Sequence, residues 1–184
     1  ADYLGLGNVP AAKKELARYA GESDVQRSLE AMDLLWCYDL LDDAAYYGNR
    51  VMKLDPANTN CILKMSGIER GRKNYPRSIA LMREGSRNEK DREAIERNVA
   101  YAYRLSNQPQ EAEKILNQLV AKNPNKANLG ERADFYNEYH RIDEELADLD
   151  SILKIDPKAS FSIMRKILLL AFLGKKEEAL ALYE

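Results

Sequence analysis

Few residues of this chain could carry out chemistry. His140 is the single histidine, so no histidine-rich metal site can be built. It falls where a turn between two helices is expected. Cys37 and Cys61 lack metal-ligand spacing and read as two free, partly buried thiols. Two thiols make no disulfide scaffold, so cysteine usage leaves both a cytoplasmic and a bacterial periplasmic setting open. Neither GxxxxGK[ST] nor GxGxxG occurs, and Leu4-Gly5-Leu6-Gly7 reads as a turn. Asp42-Asp43 and Asp148-Leu149-Asp150 lack the order of a calcium loop and read as solvated helix faces. With 30 acidic residues on helical surfaces, chance carboxylate pairs are inevitable. The expectation is a chain with no catalytic residue, no metal and no cofactor. What remains is recognition, and that depends on the elements that carry the polar side chains.

The chain of 184 residues is 45% hydrophobic and 32% charged, which places it with globular or repeat proteins rather than disordered ones. Its longest apolar run, Ile167 to Leu173, is far short of the ~20 residues that cross a bilayer, so no membrane insertion is expected. A net charge of -2 argues against a nucleic-acid partner held by the whole surface. Ala1-Asp2-Tyr3 does not open a signal peptide.

Repetition is the strongest signal. Val51-Met52-Lys53-Leu54-Asp55-Pro56, Leu119-Val120-Ala121-Lys122-Asn123-Pro124 and Ile152-Leu153-Lys154-Ile155-Asp156-Pro157 each end an apolar helix tail with Asp or Asn and then Pro. Their prolines lie 68 and 33 residues apart. The missing middle slot falls at Lys90. A second series, Ala44, Ser78, Ala112, Glu145 and Ala179, is spaced by 34, 34, 33 and 34 residues, and most of it is small enough for close helix approach. Pro76 and Pro109 sit in first helical turns, where the missing N–H costs nothing, and acids cluster in the same turns.

These stretches resemble the tetratricopeptide repeat. The best matches are Leu173-Gly174-Lys175-Lys176-Glu177-Glu178-Ala179-Leu180-Ala181-Leu182-Tyr183 and 139–157. The resemblance implies an all-α, right-handed α-solenoid of antiparallel helix pairs. Repeats are placed at 25–58, 59–92, 93–125, 126–159 and a truncated 160–184, after a partial repeat at 1–24. First helices are expected over about 25–38, 59–72, 93–105, 126–139 and 160–172. Second helices are expected over about 42–54, 76–88, 109–122, 143–155 and 176–184. Asn8 to Gly21 reads as a second helix of an earlier unit, and both ends read as cut from a longer array. The linker near Asn123 to Lys126 is one residue short. The Val25 repeat departs from the pattern, with Met32 where a small residue is usual and Gly48 where a large one is.

The resemblance also implies which side chains face the concave groove. In the Thr59 and Glu93 repeats these include Asn60, Lys64, Arg70, Arg97, Asn98, Tyr101 and Arg104. Glu30, Asp33, Glu131 and Asp134 flank them. Such a surface suits an acidic or polar extended segment of another protein. The same cations could instead pair with acids on neighbouring helices. The carboxylate clamp of chaperone adaptors is not matched: the required positions hold Leu63, Gly67, Asn98, Ala127 and Glu131, or Arg97, Tyr101, Glu131, Phe161 and Arg165. Trp36 reads either as cover for an apolar end or as a partner contact.

The expected function is a non-enzymatic protein-interaction scaffold. Two alternatives stand beside it: a cell-envelope scaffold in bacterial exopolysaccharide synthesis or export, with polysaccharide as a partner, and a substrate-recruiting appendage of an enzyme outside this segment. Oligomeric state is not readable from the sequence.

Overall fold

The computed structural model describes residues 3–5, 7–85 and 92–182. Among these lie eleven α-helices: α1 (Val9–Ala20), α2 (Val25–Cys37), α3 (Leu41–Leu54), α4 (Thr59–Gly71), α5 (Tyr75–Gly85), α6 (Arg92–Leu105), α7 (Pro109–Lys122), α8 (Lys126–Glu138), α9 (Ile142–Ile155), α10 (Ser160–Phe172) and α11 (Lys176–Ala181). The expected starts at Val25, Thr59, Lys126 and Ser160 are the observed ones, and α6 begins one residue before Glu93. The expected helix end at 88 and the Lys90 slot lie outside the described residues. The final helix is described over Lys176–Ala181, and its expected end at Glu184 lies outside the described residues. No described helix is long and apolar enough to cross a membrane.

Local chemistry explains the boundaries. Asn8, Asp24, Asn58 and Asn125 each accept a hydrogen bond from a backbone N–H of the first turn they precede. Second helices α3, α7, α9 and α11 have no such cap and instead carry acids in the first turn, where the helix dipole favours them. Between the two helices of each hairpin one residue adopts a left-handed conformation: Asp39, Lys73, Asn107, His140 and Gly174, all at φ between 56° and 76°. The next N–H in each case bonds back five residues, as from Leu40 to Leu35 and from Arg141 to Tyr136, which closes the helix end. His140 is therefore a turn residue. Only the last of the five positions carries glycine, the residue for which that conformation is free of steric cost.

The chain divides into two compact units, Ala1–Ile95 and Glu96–Glu184. In the first, α2 packs on α3 and α4 on α5, around Ala31, Met32, Leu35, Ala44, Val51, Cys61, Met65, Ile68 and Leu81. The two departures noted in the Val25 repeat compensate one another here. A Cβ on Gly48 would come within 2.8 Å of Met65 Cγ and 2.9 Å of Met32 Sδ, so the methionine chains fill the volume that the glycine vacates. Cys61 is buried beside them and its thiol donates to the Gly48 carbonyl at 3.4 Å. Burial pushes that thiol up to about 11. Both thiols are free, as expected, but Cys37 is exposed and Cys61 buried, so neither is partly buried.

In the second unit α8 packs on α9 and α10 on α11, with Leu129, Leu149 and Ile152 forming a small core. The short linker is confirmed: three residues separate α7 from α8, against four between α3 and α4 and between α9 and α10. Ala44, Ser78, Ala112, Glu145 and Ala179 are all buried. In four hairpins the small side chain lets helices approach. In the fourth a carboxylate occupies the same place and requires a partner.

Candidate functional site

Asn60, Lys64 and Arg70 lie on α4, in the first unit. Asn60 is exposed, while Lys64 and Arg70 are half-buried. The Lys64 ammonium donates to both carboxylate oxygens of Asp33 on α2. Between Lys64 and Arg70 sits Gly67, and the Trp36 indole lies on it: a Cβ there would stand 2.8 Å from the ring. Glycine at this point admits the close approach of the indole to the helix. Trp36 remains 37% exposed, so it both seats α2 on α4 and stays partly open to solvent.

Arg97, Asn98, Tyr101 and Arg104 lie on α6, in the second unit. Arg97, Tyr101 and Arg104 follow the i, i+4, i+7 rule and share one helix face. Arg97 donates to the side-chain oxygen of Asn128 at 2.7 Å. Asn128 is fully buried, and its amide nitrogen donates to the Asn123 carbonyl at 2.8 Å. One amide thus ties the short linker to the arginine. Arg104 donates through Nε to Glu138 at 2.8 Å, and its guanidinium stands 5.5 Å from the centre of the Tyr101 ring. Burial pushes the Glu131 carboxyl above its ordinary value, with Asp134 adding to the effect and Arg104 and Arg97 opposing it. The face is a mosaic of guanidinium, amide, carboxylate and phenol rather than a bare cationic patch.

A further constellation was not singled out in the sequence. Arg165 of α10 donates to Glu145 at 2.5 Å, to Asp134 and to the Ala133 carbonyl at 2.9 Å. Burial pulls this guanidinium down, but the bonds to Asp134 and Glu145 outweigh it and hold it above its ordinary value. A signal for it existed. Asp33 and Lys64 are 31 residues apart, and Asp134 and Arg165 are too. An acid nine residues into one first helix and a cation six residues into the next therefore mark a contact between neighbouring hairpins.

Among the described residues no group of three His, Cys, Asp or Glu side chains could hold a metal ion. A cavity of about 290 Å³ opens beside α1, lined by Leu4, Ala12, Glu15, Leu16, Tyr19 and Leu34 among others. Its walls are mainly apolar and assemble no nucleophile with a base.

No family model matches the sequence, and no curated protein matches it. Solved structures do match. The PilF protein of Pseudomonas aeruginosa is 16% identical, with 98% of this chain and 83% of that one covered at a TM-score of 0.66. A tetratricopeptide repeat protein from Parabacteroides merdae is 12% identical, with coverages of 98% and 73% and a TM-score of 0.66. YrrB, described as a TPR protein with an unusual peptide-binding site, is 15% identical, with coverages of 93% and 88% and a TM-score of 0.57. At these identities the likeness is one of fold, and it is the all-α fold of paired helices expected from the repeats.

Proposed function

From a tetratricopeptide-type fold, we propose that this chain is a non-catalytic scaffold that docks an extended acidic or polar segment of another protein. The proposal includes the repeat starts at Val25, Thr59, Glu93, Lys126 and Ser160, on which the facing residues depend. The observation that carries it is the face of α6. Arg97, Tyr101 and Arg104 share it, Asn98 is the adjoining exposed amide, and both guanidinium groups are held by neighbouring side chains. A guanidinium presents five donors, and those bonds occupy one on Arg97 and two on Arg104. Donors already fixed in direction lose little freedom when a carboxylate or carbonyl arrives. On α4 of the first unit, Asn60, Lys64 and Arg70 offer a second face of the same chemistry. The peptide-binding site ascribed to YrrB belongs to the same class of occupant.

The test uses a displayed library of extended twelve-residue peptides, half of it enriched in Asp and Glu. Acidic members are expected to be selected by the wild-type chain and lost with Arg97→Glu combined with Arg104→Glu, while the far-ultraviolet circular dichroism stays the same. Equal selection by both proteins overturns the assignment. Tyr101→Ala, which removes a partly exposed ring without reversing a charge, is expected to weaken selection by a smaller factor.

A further inference from the structure

The contact between α6 and α8 departs from the charge rule that two other contacts follow. Where Asp33 meets Lys64 and Asp134 meets Arg165, an acid at the ninth position of a first helix faces a cation at the sixth position of the next. Counted from Glu93 and Lys126, the same two positions here are Tyr101 and Glu131. The sixth position has become an acid, and the ninth offers it no opposite charge.

Glu131 nevertheless belongs to this contact. Arg97 meets Asn128 and Arg104 meets Glu138, so α6 and α8 lie side by side and run in the same direction. Residue 131 stands one turn beyond Asn128 on the same edge of α8. Along the two helices the charges therefore follow one another as cation, anion, cation: Arg97, Glu131, Arg104. Glu131 is half-buried, and among the described residues no side chain donates a hydrogen bond to it. Arg97 and Arg104 favour its charge from a distance, but burial and Asp134 outweigh them. An occupant that covers this edge strips more water from the carboxylate. An acidic side chain placed over it adds repulsion, whereas an ammonium or guanidinium replaces the lost water with an ion pair. A wholly acidic segment would satisfy the two arginines at the expense of Glu131.

We propose that Glu131 sets the charge order of the docked segment, which carries an acid for Arg97, a lysine or arginine for Glu131 and an acid for Arg104 at alternate residues. The distances suit an extended chain. Seven residues of helix separate Arg97 from Arg104, about 10 Å along the axis. Three side chains on one face of an extended segment span about 13 Å, and the long arginine side chains take up the difference. This order rests on the docking function proposed for the α6 face and narrows its occupant from acidic to alternating in charge.

The probes are three fluorescein-labelled twelve-residue peptides, titrated with the whole chain and read by anisotropy. The first carries two Asp four residues apart with Lys midway, in a filler of Ser and Asn. The second has the same composition with the Lys moved outside the Asp pair. The third has Asp in place of the Lys. The first is expected to bind tightest, ahead of the second by about three- to tenfold, and the third weakest. Glu131→Gln, with folding checked by circular dichroism, is expected to level the first two. Glu131→Lys is expected to make the third the tightest, and the order on the wild-type chain and on Glu131→Gln decides even where Glu131→Lys does not fold. A second or third peptide that matches the first on the wild-type chain, or an order that Glu131→Gln leaves unchanged, overturns the charge order and leaves the docking of acidic segments standing. Binding of none of the three, or binding that survives Arg97→Glu combined with Arg104→Glu, overturns both.

Discussion

At the contact between α2 and α4, Lys64 reaches back 31 residues to Asp33; at that between α8 and α10, Arg165 reaches back the same 31 residues to Asp134. The register is shared and the chemistry is not. In the first unit the ion pair is partly exposed and lies beside an apolar seat, the Trp36 indole on Gly67. In the second unit Arg165 is sunk to 14% side-chain exposure because it must also answer Glu145, 1% exposed. The same interval of sequence therefore yields an accessory contact in one place and an indispensable one in the other. The difference lies in a single position, where Ala44, Ser78, Ala112 and Ala179 are small and Glu145 is not.

The contrast makes its largest prediction at Arg165. Arg165→Ala strands a buried carboxylate and is expected to cost about 3–5 kcal/mol, read from the shift of the urea midpoint. Adding Glu145→Ala to the same chain removes the stranded charge and restores the small residue of the other hairpins, so most of the loss is expected to return. A loss below about 1 kcal/mol for Arg165→Ala would place this contact in the class of exposed ion pairs and erase the distinction. Next in size is Gly67→Ala. The added Cβ displaces the indole, and overpacking of this kind costs about 1–3 kcal/mol. Trp36 is the only tryptophan, so its fluorescence maximum is expected to move to longer wavelength with the change. An unmoved maximum would mean that the ring does not depend on the glycine. The smallest effect belongs to Asp33→Ala. The carboxylate is 44% exposed, so the loss is expected below about 1 kcal/mol and smaller still at high salt. A loss as large as that at Arg165 would break the comparison from the other side.

Much of the fold was legible because its causes are local. Asn58 before Thr59, Pro109 at a first turn, and acids such as Asp143 and Glu144 after an uncapped start act within a few residues of where they stand. The left-handed turns were less legible. Gly174 announces one, and Asp39 and Asn107 are residue types that tolerate it, but Lys73 gives no sign, since there the closing hydrogen bonds hold a conformation that the side chain disfavours. The candidate faces were legible as lists of residues and not as contacts. Arg97 and Arg104 were foreseen on one surface, while their holders, Asn128 and Glu138, come from the next hairpin, 31 and 34 residues away.

By itself the sequence determined the period, the helix starts, the short linker at Asn123–Asn125 and the series of buried small positions, because apolar spacing and capping are read over one or two turns of helix. Only the tertiary structure decided which acid each cation meets, that Met32 and Met65 fill the space left at Gly48, and that Glu145 can be buried. Each of those depends on side chains from separate helices arriving at one point, and a distance across two packed helices is not written in the spacing along either of them.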